Sequence, residues 1–273
     1  KMHSRTGGRI AKERCWSSFM KNVKIIIATH KKYQMPMDDM YIPVHVGAEG
    51  KESIGFTPDN VGDNISLKNP NYCELTGLYW AWKNLDADYV GLAHYRRHFT
   101  LKKQKDKWGS VLSTEQCSKL LSEVDIILPK PRNYFIETNE SQYLHAHHRD
   151  GWDLMCDYIE TKYPTYVPAL NKMKKSSVGH RFNMFIMKKE LLNDYCTWLF
   201  DILFHVEKNL NLDGYNVYES RIFGFLSERL LDVWVDTNCI KYIEIPVCYM
   251  ENENRSKKIF NFLRRKISPN KFE

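Results

Sequence analysis

The chain lacks several features that would have decided its class outright. No run of 18 or more apolar residues occurs in its 273 positions, so no segment reads as a bilayer-spanning helix. There is no GxGxxG and no GxxxxGK[ST], which removes the glycine-rich loops that cradle phosphates in dinucleotide-binding and P-loop folds. Cysteine is present but never as CxxC. Seven widely spaced residues (Cys15, Cys73, Cys117, Cys156, Cys196, Cys239, Cys248) argue against a disulfide framework or zinc knuckle and for reduced thiols in a cytosol. Repeats and low-complexity tracts are absent. The first twenty residues lack the apolar stretch of a signal peptide and show no sustained periodicity, so 1–20 reads as a tag or non-native extension outside the fold.

A basic face is also missing, despite a formal charge of +7. The charge divides into +4 over residues 1–20, +6 over 255–273 and −3 over the body at 21–254. Such a body is a poor partner for nucleic acid. The basic tail is different. Within 256–267, Ile259, Leu263 and Ile267 recur at helical spacing among Lys257, Lys258, Arg264, Arg265 and Lys266. A basic amphipathic helix suits an anionic membrane surface, which predicts a cytoplasmic protein peripheral to the inner membrane; packing on the protein itself or on an oligomer partner is the alternative.

What is present is an ample core, with 43% hydrophobic and 13% aromatic residues. The period-2 and period-3.6 patterns alternate. Strands are expected at 23–28, 41–46, 89–93, 124–128, 185–187 and 240–247. Helices are expected at 72–85 with Asn71 as cap, 114–122 capped by Ser113, 141–161, 190–210 and 218–231. Segment 54–67, rich in Pro, Gly, Asp and Asn, reads as loop. The alternation predicts a single α/β domain with a mainly parallel, Rossmann-like sheet flanked by helices and a more helical second half.

The densest chemistry follows strand 89–93, where His94-Tyr95-Arg96-Arg97-His98 stand at its carboxyl end. Ligands of open α/β sheets bind there, and paired guanidinium forks match phosphate oxygens. Solvated charges after a strand are the plainer reading of the same arginines.

Five segments together, ATHKK (28–32), YIPVHVGA (41–48), GDNISLKNPNYCELTGLYWAWKN (62–84), DYVGLAHYRRHF (88–99) and FGFLSERL (223–230), resemble a family of bacterial capsular and exopolysaccharide biosynthesis glycosyltransferases, formerly catalogued as a domain of unknown function. The likeness covers roughly residues 22–250. It implies a GT-A-like sheet that binds a UDP-sugar. It also implies transfer of a hexosyl unit, galactose-type (galactopyranose or galactofuranose), to a lipid-linked or oligosaccharide acceptor in capsule, O-antigen or exopolysaccharide synthesis. A nucleotide-sugar or glycan-binding protein without turnover is the alternative, and a different phosphate-handling enzyme is disfavoured by the missing phosphate loop.

Such transferases commonly use a D-x-D pair to hold a divalent cation. Asp86-Ala87-Asp88 is a literal match, but it precedes the strand, about 16 Å from the strand's other end. His94, Tyr95, Arg96 and Arg97 occupy the expected place, so metal-independent neutralisation of the diphosphate is favoured, with Mg2+ or Mn2+ the alternative. His94 is also open as a metal ligand, a base-stacking ring or a core residue. For the donor nucleotide, the expected contacts are Thr29, His30 and Lys31 after the first strand, Asp63 or Asn64 in the glycine turn, and Tyr79 with Glu74 on the next helix. Asn183 is expected to position the donor sugar. His145, His148, Asp150 and Trp152 are the expected acceptor contacts, with Trp152 stacking on a pyranose and Arg221 nearby. Glu219 and Glu228 are the candidates for the catalytic base, with His94 beside them.

Overall fold

The structure, a computed structural model, describes residues 21–102 and 105–251. The extension at 1–20 and the basic tail at 255–273 lie outside the described residues.

Strand β1 (Val23–Thr29) is a β-branched run buried on both faces, as the middle of a covered sheet requires. It pairs in parallel with β2 (Tyr41–His45) and with β4 (Tyr89–His94). The remaining main strands are β3 (Thr57–Pro58), β6 (Ile126–Pro129), β9 (Phe185–Lys188) and β10 (Tyr242–Ile245). Their order across the sheet is β10-β6-β9-β4-β1-β2-β3. All neighbours are parallel except β9, which runs antiparallel to both β4 and β6. Gly91 sits where β4 is squeezed between β1 and β9; a Cβ there would lie 2.9 Å from the Phe185 carbonyl oxygen.

Side chains of β1 alternate between two cores. Ile26 joins a large core with Tyr72, Leu92, Trp152, Leu199 and Phe223, whereas Ile25 and Ile27 join a smaller one with Phe99, Leu112 and Cys117. The larger core is roofed by helices α2 (Leu75–Asn84), α5 (Arg149–Lys162), α6 (Val167–Lys175), α7 (Lys189–Asn209) and α8 (Ile222–Thr237). Helix α3 (Thr114–Leu120) packs on the other face and begins with the expected Ser113 cap, completed by Gln116 as a capping box. All six described cysteines are free, and four are buried. Among the described residues no helix is long and apolar enough to cross a membrane.

Four local expectations change. The helix expected over 72–85 is broken at Cys73 (φ 53°), giving a short α1 (Asn69–Tyr72) and then α2. Asn71 is therefore no cap; its amide donates to the Ser220 carbonyl at 2.9 Å. The helix expected over 141–161 is two helices, α4 (Asn139–Ala146) and α5, because His147 and His148 are extended. The strand expected over 240–247 is split at Pro246 into β10 and β11 (Val247–Tyr249). Strand β11 pairs with β5 (Arg97–Phe99), a short strand that turns back antiparallel on β4 through Tyr95-Arg96. A two-stranded ribbon, β7 (Arg132–Asn133) with β8 (Val178–Gly179), completes the fold.

Candidate functional site

Parallel pairing carries the carboxyl ends of β1, β2 and β4 to one edge. Thr29 is in register with His45, and Ala28 with His94. The chain then turns at His30 and at Tyr95, so the residues after each strand meet. The His30 and Tyr95 rings pack edge to face at 5.5 Å, and Tyr33 packs on Tyr95 at 5.0 Å. Lys31 Nζ lies 5.2 Å from the Tyr95 ring centre and the Arg96 guanidinium 5.1 Å from it. Burial, then the charges of Lys31, Arg96, Lys51 and Arg221, push His30 below the ordinary histidine pKa. Lys31 and Arg96 thus meet on the Tyr95 ring beside His30 at the sheet edge, two cations placed to attract an anionic ligand. Arg96 is half exposed and is held at 3.3 Å by Glu251.

The two arginines part company because Arg96 lies in the turn between β4 and β5, whereas Arg97 is the first residue of β5. Arg97 pairs with His94 across the β4–β5 turn. Its guanidinium lies 4.3 Å from the Phe182 ring centre and 5.9 Å from that of Tyr249. Arg97 is therefore a stacked residue one step behind the cationic edge, and Arg96 and Lys31 are the arms that reach it.

Beside this edge is a strained turn. Phe182 (φ 76°) and Asn183 (φ 54°) are both left-handed, which costs about 1–2 kcal/mol per residue and persists only when neighbours impose it. They do. His94 Nε2 lies 2.5 Å from the Phe182 carbonyl oxygen, and Phe182 N–H donates to Glu228 Oε1 at 3.1 Å. Asn183 Nδ2 donates to Glu74 Oε1 at 2.7 Å and to the Gly224 carbonyl at 3.2 Å. Two acceptors fix the amide orientation and leave Asn183 Oδ1 buried without a partner. Arg181, also buried, ties the turn to Asn139 and to the Glu228 carbonyl. Arg229 pairs with Glu228 Oε2 at 3.2 Å and with Gln142 at 2.6 Å.

The expected site residues divide. His30, Lys31, Tyr95, Arg96, His94, Asn183, Glu74 and Glu228 come together at this edge. Arg221 reaches it too, with Nε on Cys73 Sγ at 3.1 Å, next to Glu74. Thr29 is buried and its hydroxyl is closed on the Lys31 backbone at 2.7 Å, so it shapes the loop rather than facing a ligand. Asp63, Asn64 and Tyr79 lie elsewhere. Asp63 is bonded to Asn84 at the far end of α2, about 15 Å of helix from Glu74, and accepts from Tyr79. Asn64 caps its own turn by accepting from Ser66 N–H.

Trp152 is 1% exposed and packs against Tyr143 at 4.7 Å, so it cannot stack on a sugar. His145 pairs with Glu137 at 2.8 Å, and Asp150 is exposed at the start of α5. His148 stacks on Tyr215 at 4.2 Å and meets Glu219 at 3.2 Å. Glu219 is committed to this loop. The hydrogen bond from Asn216, helped by His148, holds its pKa below the ordinary carboxylate value. Asp86 and Asp88 stand at the amino end of β4, where Asp88 accepts from Asn22 N–H at 3.1 Å. Among the described residues no three His, Cys, Asp or Glu side chains converge in a way that could hold a metal ion.

Sequence reading missed Phe182 and the Asp59 hub. Asp59 is fully buried and accepts from Gly47 N–H, Ala48 N–H, the Ser66 hydroxyl and the Thr76 hydroxyl, fixing the loop after β2. An Asp in a proline-containing loop carries no local signal of that role.

Residues 24–239 match the family described as a domain of unknown function, DUF4422. The chain belongs to that family. No curated protein matches it. Among solved structures, the apo form of WbbM, a bifunctional glycosyltransferase, superposes with a TM-score of 0.79 at 32% identity over 85% of this chain. The match spans 46% of WbbM, so this DUF4422 chain corresponds to about half of that protein. The sheet order, with one antiparallel strand inside parallel neighbours, is thereby an α/β fold of the glycosyltransferase GT-A-like type.

Proposed function

We propose that this DUF4422 chain is a glycosyltransferase that moves a hexosyl unit, galactose-type, from a UDP-sugar to a glycan acceptor of capsule, O-antigen or exopolysaccharide. The observation that carries the reading is the gathering of Lys31 and Arg96 on the Tyr95 ring, with His30 packed edge to face on the same ring, at the carboxyl edge of β1 and β4. The likeness to WbbM supports it. In this reading the cations meet the donor diphosphate and stabilise charge as UDP departs, without a metal ion. Neutral His30 meets the base or ribose. Asn183, its amide held by Glu74 and the Gly224 carbonyl, fixes the turn that positions the donor sugar.

Glu228 is the carboxylate we assign as base. It takes the proton from the acceptor hydroxyl while the acceptor oxygen bonds the anomeric carbon and the bond from that carbon to the phosphate oxygen breaks. His94 orients the 182–183 turn rather than touching the reacting atoms. A lipid-linked acceptor would bring the enzyme to the inner membrane surface, where the basic tail would hold it.

The test is UDP release from a panel of UDP-sugars, with and without glycan acceptors. Acceptor-dependent release from UDP-galactose is expected. No release from any donor with any acceptor would defeat the reading.

A further inference from the structure

Trp152, the aromatic expected to meet an acceptor, is core. Tyr218 is 51% exposed on the loop between α7 and α8, next to Val217 at 87%. Its ring lies 5.2 Å from Phe225 and, nearly parallel, 6.0 Å from His147. His147 in turn stacks on Phe225 at 4.1 Å and packs on buried Tyr143 at 4.8 Å. An exposed ring is therefore backed by a layered aromatic stack.

The loop is held before any ligand arrives. Asn216 Oδ1 accepts from Tyr218 N–H at 2.9 Å and from Glu219 N–H at 3.0 Å, while Glu219 Oε2 accepts from Asn216 N–H at 3.0 Å. His148 clamps Glu219 from the α4–α5 junction, and Asn71 clamps the Ser220 carbonyl from α1. The stack is also continuous with the donor edge. Arg221 lies over Phe225 at 5.7 Å and touches Cys73, the neighbour of Glu74. Polar groups gather around neighbouring Tyr215 on the same loop: half-exposed His148 stacks on it and meets Glu219, and burial, then the Asp150 and Glu219 charges, raise its phenol pKa.

We infer that Tyr218, backed by His147 and Phe225, is the platform on which the terminal pyranose of the acceptor lies, with His148 and Asp150 meeting its edge hydroxyls. The C–H face of a pyranose fits a single rigid aromatic face, and its equatorial hydroxyls fit the polar rim. Tyr218 and Val217 are two exposed apolar side chains, far less than the about 800 Å² per side that a protein partner needs. The inference rests on the glycosyltransferase reading for the identity of the ligand, but its test does not need turnover.

The probes are methyl glycosides of galactose, glucose, mannose and N-acetylglucosamine, titrated by saturation-transfer NMR against the whole chain in the presence of UDP. The wild type is compared with Tyr218→Ala and Tyr218→Phe, and UDP affinity is measured on all three by calorimetry. Tyr218→Ala is expected to weaken the best-bound glycoside about tenfold, Tyr218→Phe to stay within about twofold of wild type, and UDP affinity to stay unchanged in both. Equal glycoside binding by wild type and Tyr218→Ala, or no binding of any glycoside by wild type, would overturn the platform. Glycoside binding that depends on Tyr218 in a protein that does not bind UDP would leave the platform standing and defeat the donor reading.

Discussion

Acidification should loosen the hairpin that presents the arginines, through one residue. His98 in β5 is fully buried, with Tyr41 and Trp108 packed around it at 6.1 and 5.7 Å. Burial, reinforced by nearby His94 and opposed by a contact with the Tyr95 backbone, pushes its pKa down to about 4. The unfolded chain holds this histidine near 6.5. Between those values the unfolded state binds the extra proton, so stability rises with pH across that window and is lost as pH falls through it. A gap of about 2.5 pK units at 1.36 kcal/mol each makes the loss about 3 kcal/mol by pH 4, and none of it is felt above about pH 7.

The assay is urea unfolding of wild type and His98→Leu at pH 7.5, 6, 5 and 4, with far-UV circular dichroism as probe. Other titrating groups cancel in the difference between the two proteins. Relative to wild type, the variant should gain about 3 kcal/mol between pH 7.5 and pH 4, whatever its packing cost at neutral pH. Parallel stability–pH curves would show that His98 is not the buried neutral base described here.

Other outcomes follow from the same structure. Arg96→Ala should lower kcat/KM about 10- to 100-fold, the worth of one charge-assisted contact of about 1.5–3 kcal/mol, whereas Asp86→Ala should change it less than about threefold. EDTA dialysis should leave UDP release within about twofold of the untreated enzyme; loss of activity that Mg2+ or Mn2+ restores would overturn neutralisation by cations alone. Trp152→Ala should destabilise by about 3–5 kcal/mol in urea, as a core truncation does, and not simply raise the acceptor KM of a stable protein. Deleting residues 255–273 should abolish flotation with vesicles rich in anionic lipid while sparing UDP release on a soluble acceptor.

Much of the fold was legible because it rests on local pattern. The buried run Val23–Thr29 and the strand ending in His94 announced themselves by β-branching and apolarity, and the direction of the latter puts Asp86-Ala87-Asp88 at its amino end. Long-range pairing was not legible. That β9 inserts antiparallel between β4 and β6, or that β11 pairs with β5, leaves no mark in either segment alone. The breaks at Cys73 and at His147-His148 were hidden because their flanks keep helical spacing across them. The site followed the same division. His30, Lys31 and Arg96 were readable as residues after a strand, but their meeting on the one Tyr95 ring comes only from tertiary packing. Trp152 misled because an aromatic beside histidines and an aspartate looks like a sugar platform, and only burial distinguishes the two. Arg96 and Arg97 looked equivalent in sequence and are separated because Arg96 stays in the turn while Arg97 enters β5 and stacks between Phe182 and Tyr249.

The central claim is that the donor diphosphate sits at the carboxyl edge of β1 and β4, met by side-chain cations. A crystal structure of this chain with UDP tests it most directly. The account predicts diphosphate oxygens within hydrogen-bonding distance of Lys31 and Arg96, with the uridine against His30. UDP seated at the amino end of β4 beside Asp86 and Asp88, or a diphosphate held by a carboxylate-bound cation with Lys31 and Arg96 turned away, would contradict it.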